Sequence, residues 1–348
     1  MNSGASRVSP PGIEPAPIDQ LRDLVIGHFI PRAIYAAAYL NVAEILADGA
    51  KDVEFIAEAT GTHAPTLYRI MRALAGAGVF IEDEAGRFLN SAISDLLRPS
   101  VAGSLRAWAL MYGNETTWNS WGQILHSLRT GGSAFEHVYG VNYFEYLSTH
   151  PEAAKNFDEA MVNASSMANQ AIVTTYDFSG LRTLVDVAGG YGATLCAILK
   201  GNPGLNGVLF DMPHVMQGAQ DYIAQQGLSD RCSAVGGDFF ESVPFGADAY
   251  FIKHILHDWD DDRCVRILGN CRAAMAAKAR VLVCEKEILP GNTPCYGKLA
   301  DLHMLMMTPG GRERTEPEYR KLFTDAGLAL RRVVPTGSPM IILEGVAA

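Results

Sequence analysis

TLVDVAGGYGATLCAILKGNPGLNGVLFDMP, residues 183–213, is the stretch on which the fold turns. TLVDVAGG is an apolar run ending in glycines and predicts a strand that enters a tight loop. ATLCAILKGNP predicts a helix, and GVLFDMP predicts a second strand closed by an acid. Two strands joined through one helix run parallel, so both faces of their sheet must be covered. Open sheets of this kind bind ligands at the carboxyl edge of their strands. Gly189, Gly190 and Gly192 sit at that edge, where the backbone can approach a ligand closely. Asp211 ends the second strand nineteen residues after Gly192, positioned to accept hydrogen bonds from the two hydroxyls of a ribose.

The glycine spacing narrows the ligand. A dinucleotide fingerprint starting at Gly190 would need its third glycine where Leu195 stands, and no Gly-Lys-Ser/Thr follows the loop. Pyrophosphate recognition is therefore poorly supported. A ribose-bearing ligand without phosphates fits better, which points to S-adenosylmethionine. In GGDFF, Asp238 is available for the exocyclic amine of an adenine and Phe239 for its ring face.

Downstream, DAYFIKHILHD, ARVLVCEKEIL and PMIILEGV predict further strands with helices between them, a mainly parallel α/β sheet. The change of character at Thr183 sets a domain boundary near residues 170–180. The expected division is a disordered lead over residues 1–17, a helical region over 18–175, and the α/β domain over 176–348. Residues 18–47 are apolar at helical spacing, with a break or kink at Pro31. Ile30, Ile34, Ala37, Tyr39 and Leu40 make that run apolar on more than one face, as a subunit interface would require. VEFIAEATG, THAPTLYRIMRALAGAGV and VFIEDEAGRFLN then predict helix, helix and a hairpin turning at Glu84–Gly86, the order of a winged helix. Its second helix is expected to start at a Thr62 cap and to bury Leu67, Ile70, Met71 and Leu74. Residues 102–175 read as helical and rich in large side chains.

A winged helix raises the possibility of a DNA-binding regulator. The would-be recognition helix offers only Arg69 and Arg72, without the basic footprint of a DNA reader. A packing and dimerisation role fits better. The formal net charge of −10 argues against nucleic acid or anionic lipid as partner. With 48% apolar and 19% charged residues, the 348-residue chain is globular and long enough for two domains. No window approaches the ~20 apolar residues of a membrane span, and the lead lacks the apolar core of a signal peptide. The six cysteines form no C-x-x-C pair and are expected to be reduced, as in a cytoplasmic protein.

HILHDWDDD, residues 254–262, is open to three readings. A zinc site needs three or four converging ligands, but strand alternation would send His254 and His257 to opposite faces. A structural histidine would bond a neighbouring carbonyl. An acid–base centre would take a proton from a bound acceptor.

DVAGGYG, FDMPHV, GGDFFESVP, KHILHDWDDDRCVRILGNC, EKEILP and GGRERTEPEYRKLFTDAGL occur in that order. They resemble the successive motifs of the small-molecule O-methyltransferases, which include plant caffeate-type enzymes and bacterial polyketide and phenazine tailoring enzymes. The resemblance covers nearly the whole chain. It implies a Rossmann-like methyltransferase domain, an N-terminal winged-helix dimerisation domain, an intimate homodimer, S-adenosylmethionine as cofactor and no metal. It assigns the cofactor to the loop Ala188, Gly189, Gly190 and Gly192, to Asp211 with Met212, to Asp238 with Phe239, and to Lys253. Ser165, in FDEAMVNASS, matches a serine near the methionine end of the cofactor. The family usually has glycine where this chain has Ala188, which adds a methyl group near the ligand.

The same resemblance makes His257 the general base, flanked by Glu285 and Glu313. Asp258 would contact the acceptor near its oxygen, and Phe157, Met161, His303, Met304, Met307 and Thr308 would line the pocket. Several methionines suit a flat, fused aromatic acceptor. A phenol titrates near ~10, so at neutral pH a positioned imidazole has to take its proton. The expected reaction is methylation of a phenolic hydroxyl of an aromatic natural product. A relative that methylates nitrogen, or has changed reaction altogether, is the alternative.

Overall fold

The computed structural model describes residues 16–348, apart from the side chains of residues 162–168. The lead expected over 1–17 falls almost wholly outside the described residues, as does the Ser165 side chain. The chain divides into two compact units. One holds the residues up to Trp118 together with Glu152–Ala164, the other Asn119–Pro151 together with Ser165–Ala348.

In the first unit, helices Pro17–Ile26 and Phe29–Tyr39 are separated at Gly27–His28. Pro31 lies in the first turn of the second helix, where its missing N–H costs nothing. Asp52 caps helix Val53–Thr60 by accepting from Phe55 N at 2.7 Å. The expected Thr62 cap does not form. Helix Ala64–Gly76 starts two residues later with Pro65 in its first turn, and the Thr62 hydroxyl pairs instead with that of Thr60 at 2.9 Å. Leu67, Met71 and Leu74 are buried with Ile56, Phe80 and Phe88, while Ile70 packs half-buried against them.

Strands β1 (Phe80–Glu82) and β2 (Phe88–Asn90) form the antiparallel wing, its turn held by Asp83 accepting from Ala85 N and Arg87 N. Of the expected interface residues, Ala37 is buried in this unit's own core, and Ile30, Ile34 and Leu40 lean against it. Within residues 18–39 the large apolar side chains left exposed are Ile18, Leu21, Leu24, Val25, Ile26, Phe29 and Tyr39.

The second unit is built on a seven-stranded sheet. Its strands are β3 (Thr183–Val187), β4 (Asn206–Asp211), β5 (Cys232–Gly236), β6 (Ala249–Lys253), β7 (Arg280–Lys286), β8 (Leu328–Pro335) and β9 (Met340–Ala347). Their order is β5-β4-β3-β6-β7-β9-β8. The first five are parallel, and β9 runs antiparallel to both β7 and β8. Strands β5 and β8 carry no strong apolar run, because both are sheet edges with exposed positions along their length. One apolar core lies on each face. The chain steps from β3 outward to β5 and then crosses back to β6, which opens a crevice at the carboxyl ends of β3 and β6.

Among the described residues no helix is long and apolar enough to cross a membrane. All six cysteines are free, and five are buried.

Candidate active site

The loop after β3 is shaped by backbone sterics. Gly190 and Gly192 have φ of 59° and 86°, and Ala188 adopts φ 58°, a left-handed conformation uncommon for a residue with a Cβ. That conformation explains why a glycine is at home in this position and marks Ala188 as strained. Gly189 is held by contact: a Cβ there would lie 2.4 Å from Asp186 Oδ2 and from Leu209 Cδ1. The neighbouring strand end completes the cradle. Asp211 accepts from Gly190 N at 2.8 Å and from Met212 N at 2.6 Å. Burial pushes its carboxyl above the ordinary range, against the pull of those two N–H groups. Met212 and Asp238 are exposed. Asp238 Oδ1 accepts from Phe240 N at 2.8 Å, and Phe239 packs edge-on against Phe240 with ring centroids 4.7 Å apart. An acidic cradle with close backbone approach and an aromatic face fits a cationic, ribose-bearing cofactor.

Strand β6 stops at Lys253, earlier than DAYFIKHILHD implies, because His254 is left-handed with φ 57°. That twist breaks strand alternation. His254 and His257 therefore do not point to opposite faces; their ring centroids lie 5.3 Å apart, which corrects the sequence expectation. Leu256–Asp258 form a tight helical turn that delivers His257 to the end of β7. Glu285 fastens this turn, its Oε1 accepting from Ile255 N and Leu256 N, each at 2.9 Å. Its Oε2 lies 3.2 Å from His257 Nδ1, and Glu313 Oε1 lies 3.2 Å from the same nitrogen. Neither contact is aligned as a hydrogen bond, so Nδ1 stands between two carboxylate oxygens. Asp258 Oδ1 is 3.6 Å from Nε2.

Burial alone would lower the affinity of His257 for a proton. Glu285, Asp258 and Glu313 outweigh burial and the opposing Lys286, and the imidazole is raised to about 10. Burial pushes Asp258 up to about 6, with His257 pulling the other way. For Glu313 burial pushes upward as well, but His257 and Lys286 hold it below the usual range. His254 falls well below its ordinary value through burial, helped by Lys286 and Lys253.

His254, His257 and Glu285 offer ligand atoms that all lie within 4.8 Å of one another. A cation already stands beside them. Lys286 Nζ is 2.9 Å from Glu313 Oε1 and 3.4 Å from His254 Nδ1.

Two residues escaped sequence reasoning. Lys286 is one, lying in the quoted EKEILP but adjacent to the acid that drew attention. Arg314 is the other, a fully buried guanidinium in GGRERT. It donates to Leu256 O at 2.9 Å, to Trp259 O at 2.8 Å and to Asp261 Oδ1 at 2.8 Å, clamping the turn that carries His257. Gly311 allows the approach: a Cβ there would lie 2.7 Å from His257 O.

His303 and Met307 are buried and Met304 half-buried on helix Tyr296–Met307, and Thr308 caps it by donating to Met304 O at 3.0 Å. Burial, with Lys286 and His257, lowers His303 to about 4. Phe157 and Met161 belong to the first unit, where they pack with Trp108 and Tyr112 around Met111 and Ala160.

Comparison with known proteins agrees with this fold. A family model described as an O-methyltransferase domain matches residues 121–329, and one described as an O-methyltransferase dimerisation domain matches residues 23–100. A phenazine O-methyltransferase of Lysobacter antibioticus is 43% identical over 93% of this chain and 94% of that protein. A phenazine-1-carboxylate N-methyltransferase of Pseudomonas aeruginosa is 35% identical over 92% of this chain and 96% of that protein. The crystal structure of an O-methyltransferase from neocarzinostatin biosynthesis contains S-adenosylmethionine and 2-hydroxy-5-methyl naphthoic acid. It matches with a TM-score of 0.79 at 34% identity, covering 92% of this chain and 96% of that one. The chain belongs to the O-methyltransferase family. It is an S-adenosylmethionine-dependent methyltransferase with an N-terminal helical dimerisation domain.

Proposed function

We propose that this enzyme methylates a phenolic hydroxyl of an aromatic natural product such as a polyketide or phenazine, with His257 as general base. The observation that carries the reading is His257 Nδ1 lying 3.2 Å from two buried carboxylates. They fix the ring and stabilise its cationic form, leaving Nε2 beside Asp258 to meet an acceptor hydroxyl. With the imidazole near 10 and a phenol also near ~10, a proton passes between them with little free-energy change. S-adenosylmethionine, when bound, supplies a methyl group on an electrophilic sulfonium. The residues proposed to hold it are Ala188, Gly189, Gly190 and Gly192, Asp211, Met212, Asp238, Phe239 and Lys253, with Ser165. The resting imidazole carries a proton at neutral pH. A productive complex with a phenol holds one proton between the two groups, so a second leaves to solvent. Asp258 orients the acceptor oxygen, and His303, Met304, Met307 and Thr308 line its pocket.

The exposed apolar side chains of residues 18–39 support a homodimer that buries them. Lys286 beside the histidines supports a metal-independent reaction, since its ammonium repels a divalent ion. Neither a nucleic acid nor a membrane is assigned as partner, because the chain carries a net charge of −10.

The test is methyl transfer from labelled cofactor to a panel of phenolic polyketides, phenazines and hydroxycinnamates, with and without chelator. Methylation of a phenol, insensitive to chelator, is expected. The similarity to a phenazine N-methyltransferase favours a second reading, transfer to nitrogen. A neutral nitrogen lone pair needs no base. Product carrying N-methyl, at a rate indifferent to loss of His257, would select that reading.

A further inference from the structure

Asp186 is a buried acid that the proposed chemistry leaves unused. It sits on β3, paired in register with Leu209 of β4 and Phe251 of β6, on the sheet face that also buries Leu184 and Leu195. The residue is 2% exposed, and its Oδ2 has no hydrogen-bond partner. An unpaired carboxyl on an apolar face costs stability unless it is neutral or faces a positive charge. Its position explains why it is tolerated. It lies directly beneath the loop that is proposed to hold the cofactor, close enough to Gly189 that a Cβ there would collide with Oδ2.

The titratable groups around it are Lys253 from β6, Asp211 from β4, Cys196 from helix Ala193–Gly201 and Cys232 from β5. Among the described residues around it only Lys253 is cationic, and burial weakens its own hold on a proton. Burial raises the Asp186 carboxyl to about 7, with Asp211 adding and Lys253 opposing. The site is therefore short of one positive charge, and S-adenosylmethionine carries two, an ammonium and a sulfonium.

We propose that cofactor binding is coupled to release of a proton from Asp186, a role that rests on the loop at 188–192 being the cofactor site. The O–H bond of the carboxyl breaks, its electron pair stays on oxygen, and the proton passes to the buffer. The resulting carboxylate is held ionised by the positive charge of the bound cofactor. Binding lowers the proton affinity of the acid, so cofactor affinity rises with pH as the free carboxyl ionises.

The test is calorimetric titration of the full-length enzyme with S-adenosylmethionine and with S-adenosylhomocysteine, in buffers of different ionisation enthalpy. Most of one proton per subunit is expected to be released at pH 6 and little at pH 8.5. Affinity should be about tenfold weaker at pH 6. Equal release with both ligands assigns the effect to the ammonium, and greater release with the sulfonium compound assigns it to that charge. Asp186→Asn should bind without releasing a proton. Infrared difference spectra of the unmodified enzyme give an answer independent of that variant's folding: cofactor should abolish a protonated-carboxyl band. Binding with no proton release, an unchanged carboxyl spectrum, or an Asp186→Asn enzyme that still releases the proton would overturn the proposal. Failure of either ligand to bind the unmodified enzyme would instead overturn the cofactor-site reading.

Discussion

Glu285 and Asp186 are both buried acids on parallel strands of one sheet, with only β6 between their strands. Their surroundings differ in one respect. Glu285 has two backbone N–H groups donating to its Oε1, while its Oε2 stands 3.2 Å from His257 Nδ1 without a hydrogen bond. Asp186 finds Gly189 above it and no hydrogen-bond partner for Oδ2. A buried acid supplied with partners fixes a geometry in advance. An acid left without them makes the site sensitive to what arrives. On the proposed reading, one end of the sheet's carboxyl edge is rigid acid–base apparatus and the other a receptor for a charged ligand.

The largest effect expected from breaking this contrast is at the rigid end. His257→Ala should lower turnover by ~10²–10⁴ while leaving S-adenosylhomocysteine affinity unchanged by calorimetry. Adding Glu285→Gln to that variant should cost little more, since the acid acts through the imidazole. Near-normal turnover without His257 would end the general-base account.

Next comes the clamp. Arg314→Met leaves the carbonyls of Leu256 and Trp259 without their donor, so denaturant unfolding should show a loss of about 3 kcal/mol. Undiminished stability would mean that the His257 turn is held by Glu285 alone.

At the receptor end a smaller change is expected. Asp211→Ala should weaken S-adenosylhomocysteine binding by ~1.5–3 kcal/mol, the worth of a charged hydrogen bond, with the dimer retained. Unchanged affinity would misplace the cofactor.

Ala188→Gly is the gentlest perturbation. It relieves a left-handed alanine worth ~1–2 kcal/mol but loosens the unfolded chain, so the net gain should stay below about 1 kcal/mol. A clear loss of stability would show that the methyl group packs usefully.

The order of strands around residues 183–213 was legible because buried parallel strands are continuous apolar runs and their glycine loops are distinctive. The edge strands β5 and β8 were not legible, since an edge needs no such run. In the active site, His257, Glu285 and Glu313 came from motif resemblance, and the structure brings all three together. What periodicity got wrong was His254. A single left-handed residue ends the strand there, and the apolar run that leads into it gives no sign of the turn. Arg314 was missed for a different reason, because nothing in a run of alternating charges says which one is fully buried.

The central claim is that two buried carboxylates hold His257 and match its proton affinity to that of a phenol. Nitrogen-15 NMR of histidine-labelled enzyme, with the His257→Ala variant assigning the signal, measures that affinity directly. Because the folded-state value is raised, the imidazolium should persist through neutral pH and lose its proton only near pH 10. In Glu285→Gln or Glu313→Gln enzyme the transition should move to lower pH. A His257 signal already neutral at pH 7, or one that titrates at the same pH in all three proteins, would contradict the account.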